Sequence, residues 1–262
     1  MKQLLRKTRT LLSVHYALLF EMRAEIFLWM LSTLFPFIMM AVWVQAGEGG
    51  SFKLTSGQFA QYFAAVFIVR QFTMVWVIWE FEQEVLQGRL SPFLLQPIDP
   101  VWRHVATHVV ERAVRLPFVI VLLLAFFLLY PPARWSPNVS DILLASIMIT
   151  LAFVLRFVIQ YTFALLAFWT ERATSIEQLW FLIYIFLSGM VGPLDEYHPT
   201  ARLIAHFTPF PYLVYYPTQV LLGRDVDLAF CFGMLSAWIA GFFVINRLLW
   251  RAAIKRYSAM GA

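Results

Sequence analysis

Two arginines stand deep inside long apolar runs of this 262-residue chain, Arg70 and Arg156. Each has an amide close by in sequence. Gln71 follows Arg70 directly, and Gln160 lies one helical turn beyond Arg156. A guanidinium stays charged in proteins and donates five N–H bonds in a fixed fork, so such a pair has two uses. It can meet an anionic group on a ligand, or it can tie helices together as a hydrogen-bond knot. A second constellation is acidic: Glu80, Glu82 and Glu84 alternate just after an apolar run. A third is His104 and His108, four apart as two zinc ligands on a helix would be. The glutamate that follows the first histidine in a zinc hydrolase is absent, with Val105 in its place. The expectation is no metal, and titratable rings on a solvated or interfacial face. Asp195, Glu196 and His198 are the best acid–base group for catalysis, and a sparse one. Glu171 and Glu177 read as helix-end charges at a membrane surface. The single cysteine, Cys231, excludes an internal disulfide and a Cys-based zinc site.

The elements that must position these groups are apolar helices. Hydrophobic residues make up 61% of the chain, against roughly 45–50% in soluble domains. Charged residues make up 13%, and the mean hydropathy is +0.72. A disordered chain is excluded, and a water-soluble globule would expose large apolar patches. Lipid is therefore the expected solvent, and the expected fold is all-α and polytopic. Six segments qualify as spans, near 26–46, 58–79, 116–130, 142–168, 176–191 and 226–249. The third is short alone and continues from the helix before Pro117. On this reading Arg70 lies about 18 Å and Arg156 about 21 Å into their spans. Each would cost about 2.5–3.5 kcal/mol or more if turned to lipid, so both must face protein or water. No repeat or low-complexity linker divides the chain, which reads as one membrane domain over 1–262.

Orientation follows from the basic residues. With the N-terminus inside, the outer segments hold only Lys53, Arg134, Arg202 and Arg224, and 14 of the 20 Lys and Arg fall inside. Both termini are thus expected on the cytoplasmic side. The net charge of +5 reflects those inner segments rather than nucleic-acid binding. Residues 1–25 read as an interfacial helix: leucines at 4, 5, 11, 12, 18 and 19 form one stripe, with Lys2, Arg6, Lys7 and Arg9 mostly off it. Such a helix is a lipid anchor, or an anchor that also touches a cytoplasmic partner. A cleaved signal peptide does not fit, because the first apolar stretch is too long and begins too late.

Two segments between spans carry most of the remaining information. Residues 80–115 combine the glutamates with Gly88-Arg89-Leu90, Pro92 and Pro97. A helix start follows at Asp99-Pro100, with Asp as cap. Glu111 and Arg115 are spaced to pair on that helix. Residues 192–225 hold five prolines around two apolar stretches too short to span. Broken backbone at membrane depth is tolerated only against protein or a water-filled cavity. The segment therefore caps an outer vestibule, or else is a surface loop with a short amphipathic helix.

The run Glu80, Glu84, Gly88, Leu90, Leu94 and Pro97 resembles the cytoplasmic loop of six-span permeases of bacterial ABC exporters, the type-2 ABC permease family. Ser188-Gly189, Pro193 and Phe207-Thr208-Pro209-Phe210-Pro211-Tyr212, followed by Pro217 and Gly223, are similar to the outer segment of the same permeases. In those, half-helices re-enter the membrane before the last span. The resemblance implies a half-transporter in the bacterial inner membrane. It would pair with a second permease, identical or related, and dock two ABC ATPase subunits. The docking surface would be the 80–100 segment, through Glu80, Glu84, Gly88, Arg89, Leu90 and Pro97. Arg70, Arg156 and Gln160 would line the translocation route. Gly189, Pro193, Pro209, Pro211 and Tyr212 would shape the outer re-entrant segment. The sequence contains no phosphate-binding G-x-x-x-x-G-K-[ST] loop, so ATP and Mg are expected on the partner ATPase, with no cofactor on this chain. Two alternatives from other classes are an integral membrane enzyme acting on lipid and a secondary transporter. The latter would need intramembrane carboxylates that the span centres lack.

Overall fold

The computed structural model describes Ser13 and residues 34–49, 52–170 and 172–257. Apart from Ser13, the expected interfacial helix and the start of the first span lie outside the described residues. Within them the secondary structure is helical throughout: α1 Phe35–Gly47, α2 Ser56–Thr73, α3 Val77–Leu86, α4 Ser91–Leu94, α5 Val101–Leu129, α6 Val139–Ala164, α7 Ala173–Leu187, α8 Pro199–His206, α9 Tyr215–Leu221 and α10 Leu228–Ala253. Four stretches are long and apolar enough to cross a membrane: Ser56–Leu86, Val101–Leu129, Val139–Phe168 and Leu228–Ala253. Helices α1 and α7 are apolar and shorter.

Helix α2 is the centre of the molecule. A capping box at its start, with Thr55 and Gln58 satisfying each other's backbone N–H, fixes where it begins. Its small and aromatic residues from Phe59 to Phe67 are fully buried against α1, α6 and α9. By contrast α5 and α10 expose long apolar faces, including Ile120, Val121, Leu124 and Leu128 on α5 and Val244 and Leu248 on α10. In a lipid-solvated fold the most buried helix is the least lipid-exposed one, and only there can ionic side chains be shielded on all sides. Both membrane arginines follow that rule, Arg70 on α2 and Arg156 on the buried face of α6.

Helix continuity agrees with the sequence reading at Pro117 and departs from it in the second span. Pro117 lies within α5, which runs unbroken from Val101 to Leu129, because lipid-embedded helices tolerate proline when neighbours and local adjustment re-satisfy the backbone. The second span breaks between α2 and α3, at Met74–Trp76, where the sequence has neither Gly nor Pro. There α5 supplies the missing partners. The Trp76 backbone N–H donates to His108 Nε2 at 3.0 Å, and its indole N–H to Glu111 at 3.2 Å. His108 Nδ1 in turn bonds the His104 carbonyl at 2.8 Å. A neutral ring protonated on Nδ1 satisfies both bonds.

Candidate functional site

The chain presents three polar regions along its long axis: one around Gly88, one in the middle of the helices, and one around Gly189.

At the Gly88 end, Gly88 takes the left-handed conformation that terminates α3 (φ +68°). Leu90 is then fully buried, and it anchors the turn that begins α4. Beyond that anchor the chain is exposed: Arg89, Pro92, Gln96 and Pro97 face outward, and Leu95 is 88% exposed. The base of this tip is rigid. Arg103 of α5 pairs with Glu84 of α3 and lies 3.8 Å over the Phe93 ring of α4. His104 has Glu80 at 3.2 Å from one ring nitrogen and Glu84 at 3.3 Å from the other. Asp99 accepts the Val101 N–H at 3.0 Å, as the capping pattern predicts, and also pairs with Arg247 of α10 at 2.9 Å. Ser91 meets Tyr257 at 2.9 Å.

The predicted coupling residues therefore divide. Arg89, Pro97 and Glu80 are exposed, whereas Glu84 and Leu90 are turned inward. The expectation for His104 and His108 is corrected: both rings are buried, because α3 and the helix break need their partners. Glu82 was grouped with the other two glutamates by sequence. It instead accepts the Thr174 N–H at 2.7 Å and so caps α7. Glu111 and Arg115 pair as their spacing predicts. Among the described residues no group of His, Cys, Asp or Glu is arranged to hold a metal ion.

In the middle, α2, α6 and α7 bring Arg70, Arg156, Gln160, Glu177 and Tyr184 together. The Arg156 guanidinium lies 4.4 Å from the centre of the Tyr184 ring and 5.5 Å from that of Trp180. Those two rings stack 5.4 Å apart. Arg70 enters from the α2 side, where the Tyr184 hydroxyl and the charge of Arg156 both act on it. Gln160 donates to Glu177 at 3.0 Å, and Arg156 is the cation whose charge acts on that carboxyl. Glu177 is thus buried rather than a surface charge, because its turn of α7 packs onto α6. Spacing could have revealed this. Glu177, Trp180 and Tyr184 fall on one face of a helix, at i, i+3 and i+7.

At the opposite end, Gly189 follows α7 with φ +83°. The Tyr62 hydroxyl donates to its carbonyl at 2.6 Å, and a Cβ there would lie 2.6 Å from that oxygen. Trp43 donates to the Val191 carbonyl at 2.7 Å. Pro193 then leads through a turn to α8, and Pro209 and Pro211 bracket a second turn before α9. All three prolines are buried, as is Tyr212, whose hydroxyl donates to the His206 carbonyl at 2.7 Å. The two short helices do not span. Phe210–Leu221 packs into the interior against α2 and α6.

Asp195 holds this end together, accepting from the Tyr215 hydroxyl at 2.7 Å and Gln219 at 2.9 Å and pairing with Arg202 at 3.3 Å. Burial and the Asp195 charge push the Tyr215 phenol well above its ordinary range, so it stays a donor. Glu196 accepts the backbone N–H groups of Lys53 and Leu54. The acid–base group suggested by sequence is therefore occupied by structural bonds. Beside it lies a cavity of about 930 Å³ lined by Lys53, Asp195, Arg202, Tyr215, Gln219 and Arg224, among others.

These features define a polytopic helical membrane protein with a rigidly based exposed tip at one end and a folded-back segment at the other. The chain belongs to the ABC-2 family transporter proteins, whose family profile matches residues 27–261. It is accordingly the membrane component of an ABC transporter, a transport protein rather than a catalytic one. No curated protein matches the sequence.

Proposed function

We propose that this chain is the six-span permease subunit of an ATP-driven exporter in the bacterial inner membrane, with both termini cytoplasmic. Two permeases, identical or related, form the translocation route, and each docks an ABC ATPase subunit that carries ATP and Mg. Arg70, Arg156 and Gln160 contribute to the wall of that route. The segment 192–225 re-enters the membrane to cap its outer vestibule.

The observation that carries this reading is the tip at residues 89–98. Leu95 is 88% exposed, yet its surroundings are braced: Arg103 of α5, paired with Glu84 of α3, lies over Phe93, and Asp99 pairs with Arg247 of α10. A large apolar side chain held out on a braced support is suited to transmit a push from a soluble partner. Six spans are supported by α1 and α7, which complete the bundle although each is shorter than the other four. The charge asymmetry supports the tip's cytoplasmic side.

The test is co-expression with the ATPase subunit, followed by capture and ATP turnover. Leu95→Asp is expected to abolish capture or lower permease-dependent turnover at least tenfold, with the thermal midpoint of the permease unchanged. Full capture and turnover in the Leu95→Asp protein would remove the docking assignment. So would labelling of a cysteine at position 96 from outside intact cells.

A further inference from the structure

We propose that Arg70 and Arg156 form a binding site for a single negative charge inside the membrane domain. The ligand is a small monovalent anion or a singly charged acidic group on a larger molecule. Both side chains are more than nine-tenths buried, at 8% and 5% exposed. Neither can escape its charge by losing a proton. Yet Arg70 Nη1 and Arg156 Nε and Nη1 have no hydrogen-bond partner, although they are buried. Arg156 has the π faces of Tyr184 and Trp180 and the charge of Glu177, and Arg70 has the Tyr184 hydroxyl.

The charges do not balance. Two guanidinium groups lie close enough to repel each other. One carboxyl, Glu177, acts on Arg156 and none acts on Arg70, and Gln160 already bonds that carboxyl. The surplus is one positive charge and three donor nitrogens, against a single unpaired acceptor among the described residues of the cluster, Gln160 Oε1, in a setting of low dielectric. Buried polar groups in folded proteins are bonded almost without exception, and unpaired buried cations are among the costliest features a fold can hold. Arg103, Arg115 and Arg247 also leave a nitrogen unbonded, but each pairs with a carboxylate. One acceptor carrying one negative charge removes both deficits. A doubly charged oxyanion would overshoot the surplus, so sulfate is disfavoured.

The anion could come free from solution or be carried by the cargo. The second source rests on the transport reading above, whereas the binding itself does not. The experiment uses the full chain purified in detergent, and reads its thermal midpoint as chloride replaces sulfate at constant ionic strength, with Arg70→Gln run alongside to remove general salt effects. In parallel it compares hexanoate with hexanamide in chloride-free buffer. The midpoint should rise saturably, by roughly 3–6 °C at a hundredfold excess over the half-saturating concentration. Arg70→Gln should remove the rise and Arg70→Lys should keep part of it. Arg70 is the better variant to begin with because it faces no carboxylate. For Arg156, the Arg156→Gln/Glu177→Gln double variant avoids stranding the buried acid.

A rise with chloride alone assigns the site to a free anion. A rise with hexanoate but not hexanamide assigns it to an acidic group on an amphiphile. Both rises mean one site serves either source. A midpoint indifferent to every anion, equal in sulfate and chloride, or shifted equally in Arg70→Gln overturns the proposal. Failure to capture an ATPase subunit would count against the transport reading alone.

Discussion

The Gly189 end and the middle of the bundle are both rich in polar groups, and they use them in opposite ways. Around Gly189 the charged groups and their donors are matched, and among the described residues only the uncharged Ser188 and Thr218 hydroxyls are buried there without a partner. Asp195 takes bonds from Tyr215 and Gln219 and pairs with Arg202, Glu196 takes two backbone N–H groups, and Gln219 also accepts from Arg224 at 3.1 Å. In the middle, donors outnumber acceptors, and three guanidinium nitrogens on two buried arginines go unpaired. A saturated network specifies a shape, since each member holds another in place. An unsaturated cationic cluster adds nothing to shape that apolar packing could not, and is better explained by something that visits it. The same contrast separates residues whose loss should unfold the protein from residues whose loss should change what it binds.

The most severe way to break the matched end is at its backbone. Gly189→Val adds a β-branched side chain at φ +83°, with the Tyr62 hydroxyl 2.6 Å from the new Cβ. Left-handed strain and overpacking together are expected to cost about 4 kcal/mol. The check is loss of the folded fraction on thermal or denaturant unfolding in detergent, and an unaltered midpoint would contradict the matched-end picture.

In the middle, Arg156→Leu strands Glu177 without its cation. A loss of about 3 kcal/mol is expected. Adding Glu177→Gln should restore most of it, because the stranded charge rather than the missing arginine carries the cost. A double-mutant cycle measures this directly. If the double variant is no better than Arg156→Leu, the pair is not coupled.

Asp195→Ala tests the matched end more gently. It removes the acceptor of Tyr215 and Gln219 and the counterion of Arg202. The expected loss is about 2 kcal/mol. Asp195→Asn keeps an acceptor oxygen and should lose about half as much. Unchanged ligand binding in the middle cluster, measured alongside, would confirm that the two regions act separately.

How much of this was legible in the sequence depends on whether the signal was local. Charges inside apolar runs stand out, so Arg70 and Arg156 could be named and required to be shielded. The helix from Asp99-Pro100 through Pro117 could be followed because its cap is local. Gly88 and Gly189 could be marked as turns, and both take positive φ. What sequence missed comes from tertiary contacts. The break at Met74–Trp76 has no local breaker and depends on His108 and Glu111 from another helix. Glu177 looked like a surface charge because its partners lie on α6, in a different span. The three alternating glutamates looked alike, yet Glu80, Glu82 and Glu84 have different partners.

Glu82 supplies the smallest and most discriminating test of the comparison. It is acidic, buried and near the Gly88 end, so a docking role and a matched structural role predict different results. Its two oxygens take the Thr174 N–H at 2.7 Å and the Thr174 hydroxyl at 3.2 Å, which closes the otherwise open N-terminus of α7. Glu82→Ala should therefore behave like a lost helix cap, costing about 1 kcal/mol, with capture of the ATPase subunit unchanged once the protein is folded. Glu82→Gln keeps an acceptor and should recover part of that loss. If Glu82→Ala instead abolishes capture at an unchanged midpoint, the acidic residues beneath the second span act on the partner. The line between structural and functional polar groups would then have to be drawn through α3 as well.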